Sequence, residues 1–417
     1  MGYFVGLLLV FAIDYYAFQG VKTYFLPDIT DFHRIGISST YWLLSAIIPL
    51  LFVFGVIEMK RYDHTPYIVV LLGNIWFILL LSKLVFVFVL FGEDIFRFVS
   101  ATFIKIFGKT SDVLMDQTTF LPSRRKFVSQ SALILAAVPF LSLSYGMIRG
   151  RYQYKVHKQT LFFNDLPEAF DGFTITQISD IHSGSFDNRE GVLKGLEMIK
   201  SLNSDLMVFT GDLVNTLATE FDPWVEDFKT LKADYGKFSV LGNHDYGEYT
   251  PWPNNESKNQ NFEDIKAQHD KIGFKLMLDE STKIQKDGQS LSLIGIENWG
   301  VDFGKKGNLK KALKNVQTDD FKILLSHDPS HWEHEVKDHD QLIHLTMSGH
   351  THGMQMGIEI PGIKWSPIQY KYPKWAGIYE ENKRYLYINR GFGVLGFRGR
   401  VGIWPEITQI ELKRAVS

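Results

Sequence analysis

The chain has 417 residues, room for more than one domain, and no cysteine, which removes thiolate metal sites, cysteine nucleophiles and disulfides together. Its 44 basic and 46 acidic residues nearly cancel, so it lacks the basic excess of a general nucleic-acid binder, and no nucleic-acid partner is expected. The near-zero mean hydropathy averages two unlike parts: residues 1–147 hold most of the long apolar runs, and 151–417 read as a water-soluble domain.

A bilayer core takes about 20 mostly apolar helical residues. Tyr3–Gly20, Tyr41–Ile57 and Pro66–Phe91 fit, and runs such as Ile78-Leu79-Leu80-Leu81 are apolar on every face. A fourth run, Phe127–Tyr145, is shorter and contains Pro139. Asp14 and Lys83 fall inside apolar runs, where charge is costly, and are predicted to pair; the alternative is that each snorkels separately to the interface. After the third run, Ile95, Phe96, Val99, Phe103 and Phe107 recur at helical spacing with Arg97, Lys105 and Lys109 among them. This fits an interfacial helix or a loop helix packed on the bundle. Ser123-Arg124-Arg125-Lys126 before the fourth run reads as a positive-inside flank or as an internal twin-arginine-like signal. Both readings hold the arginines in the cytoplasm and send the following domain outward; Arg149, Arg151, Lys155 and Lys158 argue the other way. The expectation is an integral protein of a bacterial inner or cell membrane with about four helices and an outward-facing C-terminal domain.

Beyond Arg151 short strands alternate with helices. Phe173–Ile178, Leu206–Thr210, Lys237–Leu241, Leu291–Ile296, Phe321–Leu325 and Leu342–Met347 read as strands. Val192, Leu196 and Ile199 mark an amphipathic helix capped by Asp187 or Asn188. Glu248–Gln260, polar and holding Pro251 and Pro253, reads as a surface loop, solvated or acting as a lid.

Five short clusters carry the chemistry: Ser179-Asp180-Ile181-His182, Gly211-Asp212, Gly242-Asn243-His244-Asp245, Ser326-His327 and Gly349-His350-Thr351-His352-Gly353. Asp180, Asp212, Asn243, His327 and His350 each follow a predicted strand, and α/β proteins gather their sites at the carboxyl ends of strands. Mixed imidazole and carboxylate donors suit two divalent ions of manganese, iron or zinc rather than calcium, which prefers oxygen shells. Such a pair, about 3.5–4 Å apart, activates water for in-line attack on phosphorus.

These clusters resemble the motifs of the calcineurin-like metallophosphoesterases, over roughly Phe173 to Leu412. The resemblance implies an α-helical transmembrane region followed by an α/β metallophosphoesterase domain, a two-sheet β-sandwich flanked by helices. It implies Asp180, His182 and His352 on one metal, Asp212 bridging, and Asn243, His327 and His350 completing the other site. His244 would protonate the leaving oxygen and Asp245 would orient its ring. Gln355, Ala376-Gly377-Ile378-Tyr379, Leu386-Tyr387-Ile388-Asn389-Arg390-Gly391-Phe392-Gly393 and Pro405-Glu406-Ile407-Thr408 narrow the likeness to a membrane-associated branch. That branch includes twin-arginine-exported phosphodiesterases and a UDP-diacylglucosamine pyrophosphatase. Two residues depart from the family pattern: Asn215 stands where a second aspartate is common, and Met354 where glycine is common.

Arg390, Arg398 and Arg400 are candidates to grip a phosphate or lipid head group, or are turn residues. Trp365, Tyr370, Tyr372 and Trp375 could form an apolar wall for a lipid, or simply pack. The expected activity is hydrolysis of a phosphodiester, pyrophosphate or phosphomonoester, with a phosphorylated small molecule or lipid as substrate and the membrane as partner. The alternative is a membrane sensor or scaffold that binds such a ligand without cutting it.

Overall fold

The computed structural model describes residues 2–25, 29–58, 67–107 and 117–415. Pro66, Lys109 and the side chains of Arg124 and Arg125, all named above, lie outside what is described. The chain divides between Tyr145 and Gly146 into two compact units.

Among the described residues the first unit has four helices: α1 (Gly2–Phe25), α2 (Asp31–Glu58), α3 (Tyr67–Phe107) and α4 (Gln117–Ile148). Among the described residues three stretches, Asp31–Ile57, Tyr67–Phe107 and Lys126–Ile148, are long and apolar enough to cross a bilayer. At 1.5 Å per residue α3 runs about 60 Å, roughly twice a hydrocarbon core. The segment Ile95–Phe107 is therefore no separate interfacial helix but the continuation of α3. No proline interrupts it, and Arg97 ties back to Glu93 one turn earlier (3.1 Å) and to Asp94, carrying the helix through its charged stretch. Pro139 likewise fails to end α4. Lys83 pairs with Asp14, as predicted, and also reaches Ser45 Oγ at 2.8 Å, while Tyr41 donates to the Asp14 carbonyl at 2.8 Å.

The second unit is a two-sheet sandwich. In chain order its strands are β1 (Lys155–Phe163), β2 (Thr174–Ile178), β3 (Leu206–Phe209), β4 (Lys237–Ser239), β5 (Lys275–Leu276), β6 (Glu280–Lys286), β7 (Gln289–Gly295), β8 (Lys322–Leu325), β9 (Leu345–Ser348), β10 (Ile358–Ile360), β11 (Ile363–Trp365), β12 (Gly377–Glu381), β13 (Arg384–Ile388) and β14 (Glu406–Arg414). One sheet has the order β1-β14-β2-β3-β4-β5, the other β12-β13-β9-β8-β7-β6, and β10-β11 stand apart as a hairpin. β2, β3 and β4 run parallel, as do β7, β8, β9 and β13.

Alternation along each strand splits its side chains between two apolar layers. Ile175, Val208, Leu293, Ile323, Leu345 and Ile410 from both sheets fill the space between them. On the outer face of the first sheet, Met207 and Phe209 pack with Val192, Leu196 and Ile199 of helix α5 (Arg189–Ser201). On the outer face of the second, Ile294, Leu324 and Ile388 pack under Trp332. Strands covered on both faces read as near-continuous apolar runs, which is why β3 and β8 stand out in the sequence. Asn188 caps α5, its side chain accepting from Gly191 N at 3.0 Å. The expected loop Glu248–Gln260 ends early: Asn254 accepts from Ser257 N at 2.8 Å and starts helix α6 (Asn255–Lys271).

Candidate metal centre

The loops leaving the carboxyl ends of β2, β3, β4, β8 and β9 converge at one edge of the sandwich and bring the five clusters together. The backbone there is bent hard. Asp180, His182, Asp212, His350 and His352 all have positive φ, between 45° and 71°, a region that costs non-glycine residues about 1–3 kcal/mol each and is kept where the surroundings enforce it. The motif glycines give the loops room. A Cβ on Gly349 would lie 1.9 Å from Ser179 Oγ, and one on Gly242 2.2 Å from Asp212 Oδ1.

Two sets of donors form, Asp180 with His182 and His352, and Asp212 with His327 and His350; within each, one donor atom per residue lies within 4.8 Å of the others. Asp212 Oδ2 stands between the sets, 3.4 Å from His182 Nε2 and 3.2 Å from His327 Nε2. Asn243 joins the second set, its Oδ1 2.9 Å from His350 Nδ1. Its amide nitrogen donates to Tyr249 OH at 2.7 Å, which turns the carbonyl oxygen toward the cluster. The Thr210 carbonyl lies 2.7 Å from His327 Nδ1 and leaves Nε2 facing Asp212. His350 Nε2 is held by Tyr372 OH at 3.0 Å and Asp328 Oδ2 at 3.4 Å, and Tyr372 OH also donates to Asp328 at 3.2 Å.

These residues fit metal ions by a direct test. Among the described residues, His182 is the only side chain with two buried polar atoms lacking a hydrogen bond, and His352 Nε2 is another buried nitrogen without one. A buried polar group normally has a partner. Nitrogens left open beside carboxylates are what a cation needs.

Burial drives His350 down to about 4 and holds His352 well below its ordinary value, so these rings are neutral, the form that binds metal; it lowers His244 to about 4 as well. Burial also opposes ionisation of Asp212, but His327 and His244 outweigh it and hold the carboxyl well below the usual range. Burial would lower His327 as well; the charge of Asp212 instead carries it up to about 10.

His244 is half-buried with its ring 4.9 Å from that of His182 and 4.3 Å from that of Tyr249. Its Nδ1 lies 2.7 Å from the Asn215 carbonyl. This corrects the expected role of Asp245, whose carboxylate turns away from the ring. It accepts from the backbone nitrogens of Asp212 (2.9 Å), Leu213 (2.8 Å) and Gly242 (2.9 Å), and so staples the two ligand loops. A backbone carbonyl orients His244, so the asparagine at 215 leaves that contact intact.

Two of the three candidate arginines are also corrected. Arg390 is buried between Glu406 and Glu359, its Nε 3.0 Å from Glu359 Oε2. Fully buried Arg400 donates to the carbonyls of Arg390 (2.8 Å), Gly391 (3.1 Å) and Gly393 (2.6 Å), knitting the glycine-rich loop behind His352. Neither is open to a ligand. Arg398 is partly exposed and donates to the Gly184 carbonyl at 3.1 Å. The four aromatics split: Tyr372 and Trp375 are buried, Trp365 and Tyr370 exposed. Asp328, Tyr249 and the carbonyls of Thr210 and Asn215 were not anticipated. Asp328 adjoins His327, a signal that could have been used; the carbonyls leave none.

A two-sheet sandwich with two His/Asp donor sets at its strand ends has the architecture of a metallophosphoesterase. The comparisons with known proteins agree. Residues 173–354 match the family described as Calcineurin-like phosphoesterase, and residues 1–151 match Probable Calcineurin-like phosphoesterase, transmembrane domain. The chain is 28% identical over 302 residues to Uncharacterized metallophosphoesterase YkuE of Bacillus subtilis (strain 168), covering 70% of this chain and 98% of that one. It is 28% identical over 295 residues to Transmembrane protein with metallophosphoesterase domain of Danio rerio, covering 68% of this chain and 62% of that one. It is 29% identical over 271 residues to UDP-2,3-diacylglucosamine pyrophosphatase LpxG of Chlamydia muridarum (strain MoPn / Nigg), covering 55% of this chain and 81% of that one. The chain belongs to the calcineurin-like metallophosphoesterases; it is a membrane protein and a metal-dependent phosphoesterase.

Proposed function

We propose that residues 1–147 anchor and 151–417 catalyse hydrolysis of a phosphodiester or pyrophosphate in a lipid or envelope molecule, on the outer side of the membrane. The position of Asp212 Oδ2 between His182 and His327 is the observation that carries the two-metal reading. Asp180, His182 and His352 would hold one divalent ion; Asn243, His327 and His350 the other; Asp212 would serve both. Manganese, iron and zinc suit these donors. Bound there, such ions would lower the pKa of water and neutralise phosphoryl charge.

The rest falls to the protein. His244, anchored through Nδ1 on the Asn215 carbonyl, presents Nε2 to the phosphoryl group. An anionic phosphoryl group facing the ring raises its affinity for a proton, which it then passes to the leaving oxygen. Asp245 holds the loops of Asp212 and His244 in register. Arg398 stays a candidate contact for the substrate. A lipid-linked substrate follows from the membrane anchor and from the pyrophosphatase named for a diacylglucosamine nucleotide among the relatives. The basic residues Arg124-Arg125-Lys126, inside α4 and just before its apolar run Phe127–Tyr145, support the outward orientation.

The full chain, loaded separately with manganese, iron or zinc, should cleave bis(p-nitrophenyl) phosphate and a lipid-linked pyrophosphate, with two ions bound per chain. One ion per chain, or no turnover with any metal, would sink the reading. A cysteine at Ser281 should react with an impermeant maleimide in intact cells with any outer membrane permeabilised; protection until lysis would reverse the orientation.

A further inference from the structure

The hairpin after the last ligand loop is built inside out. Ile358 pairs with Trp365, Glu359 with Lys364 and Ile360 with Ile363, so Ile358, Ile360, Ile363 and Trp365 share one face and Glu359 and Lys364 the other. On a sheet with one face in water, the apolar face normally turns to the core. Here the charged face makes the hairpin's contacts with the domain: half-buried Glu359 takes Arg390, and Lys364, itself still exposed, reaches the Ala376 carbonyl with its ammonium 5.0 Å above the Trp375 ring. The four apolar side chains are left 39–56% exposed, and Met354 and Tyr370 on either side are exposed too. An exposed apolar patch rimmed by polar residues marks an interaction surface.

We propose that this hairpin docks into the headgroup–acyl boundary of the bilayer and sets the metal centre against the lipid surface. The residue types on the patch and the chain's own membrane-spanning helices favour this occupant; charge does not decide it, because Lys371 pairs with Asp302 at 3.1 Å and Lys374 with Glu333 and Glu381. Trp365 and Tyr370 are the residue types that settle at headgroup depth. The chain carries its own membrane-spanning helices, so a lipid surface is always within its tether.

The hairpin is also fixed to the site. Its residues follow His352 directly, Ser366 Oγ donates to the Gly353 carbonyl at 2.7 Å, and Glu359 holds Arg390 beside the loop whose Gly391 packs against Asp180 and His352. Docking would thus orient the donors, not merely tether them. The inference rests on the membrane anchor and stands whether or not the substrate is a lipid.

The cysteine-free chain allows a direct test in nanodiscs of phosphatidylglycerol and phosphatidylcholine. Single cysteines replace Ile360, Ile363 and, as a control on exposed β6, Gln285; each is labelled with bimane. Doxyl lipids should quench Ile360→Cys and Ile363→Cys several-fold more than Gln285→Cys, while aqueous iodide shows the reverse order. Equal iodide quenching at all three sites overturns the proposal. So does shielding that appears only with two chains per disc, which would make a second copy the occupant. If the wild-type chain cuts a lipid-embedded phosphodiester, that turnover should fall several-fold in the Ile360→Glu, Ile363→Glu double variant with bis(p-nitrophenyl) phosphate turnover unchanged, and unchanged rates on both then overturn the proposal; if it cuts only the soluble substrate, the quenching pattern decides. If the wild-type chain cuts neither substrate, the phosphoesterase reading fails, and the quenching pattern still decides the docking.

Discussion

Among the apolar helices Lys83 has both Asp14 and Ser45 as partners, and Tyr41 covers the Asp14 carbonyl, so the buried charges form a closed set. At the strand ends, His182 has no hydrogen bond at either ring nitrogen and His352 lacks one at Nε2, although Asp180 and Asp212 lie beside them. Both clusters bury charge, and burying charge is costly. The first offsets that cost internally, as a structural pair does. The second leaves it open and adds backbone strain at five residues, which makes sense only if something else completes it. Openness, rather than burial or charge, separates a binding centre from a structural one.

Asp212→Asn should break the open cluster most completely, since Asp212 Oδ2 faces both donor sets. Turnover should fall by well over the roughly hundredfold typical of residues that only support a ligand. Metal content by mass spectrometry should drop with it; full retention of two ions would refute the bridging role. His244→Ala should lower kcat by about 10²–10⁴ as the loss of a general acid, with both ions still bound. Loss of metal there would instead make His244 a ligand.

The closed cluster should respond in stability, not metal content. Lys83→Met or Asp14→Ala alone leaves a buried charge unpaired and should cost about 3 kcal/mol in detergent unfolding. The swap Asp14→Lys with Lys83→Asp should recover most of it. No recovery would mean that the two act separately.

Much of this was legible because each site loop announces itself locally. A short apolar strand runs into a glycine and then a donor, as in Gly211-Asp212 or Gly349-His350, and neither the strand nor the glycine needs knowledge of distant partners. The arginines failed for the opposite reason. Arg390 looks free until Glu359 and Glu406 arrive from remote segments, and Glu406 is committed enough to Arg390 that, against the effect of burial, its carboxyl falls to about 2. Asp245 misled because it adjoins His244 in sequence while its side chain serves backbone nitrogens of another loop. The length of α3 was hidden by its charged stretch, which reads as an end but is paired within the helix.

Between the two extremes lies the Asp328–Tyr372 pair on His350, closed on itself yet serving the open cluster. Tyr372→Phe and Asp328→Asn should each lower metal affinity about 10–100-fold, with kcat nearly restored at saturating metal. An unchanged metal titration would make the pair merely structural.

His269 offers the mildest test, because it is a fully buried imidazole that belongs to neither cluster. One nitrogen lies 2.8 Å from Ser239 Oγ and the ring stacks on Phe209. Burial pushes its pKa from an ordinary 6.5 down to about 3, so the folded state keeps it neutral. As pH falls through about 6.5 the unfolded chain takes up this proton first. Stability is therefore full above that pH and is lost progressively toward about 3. Between pH 7.5 and 5.5 the loss is on the order of 1 kcal/mol from this group. His269→Phe keeps a ring against Phe209 and removes the titration, so its unfolding free energy should fall less steeply with acid than that of the wild type. Parallel curves would show that the ring is protonated in the fold, and that a buried histidine outside the metal centre can be as open to a proton as those inside it are to a cation.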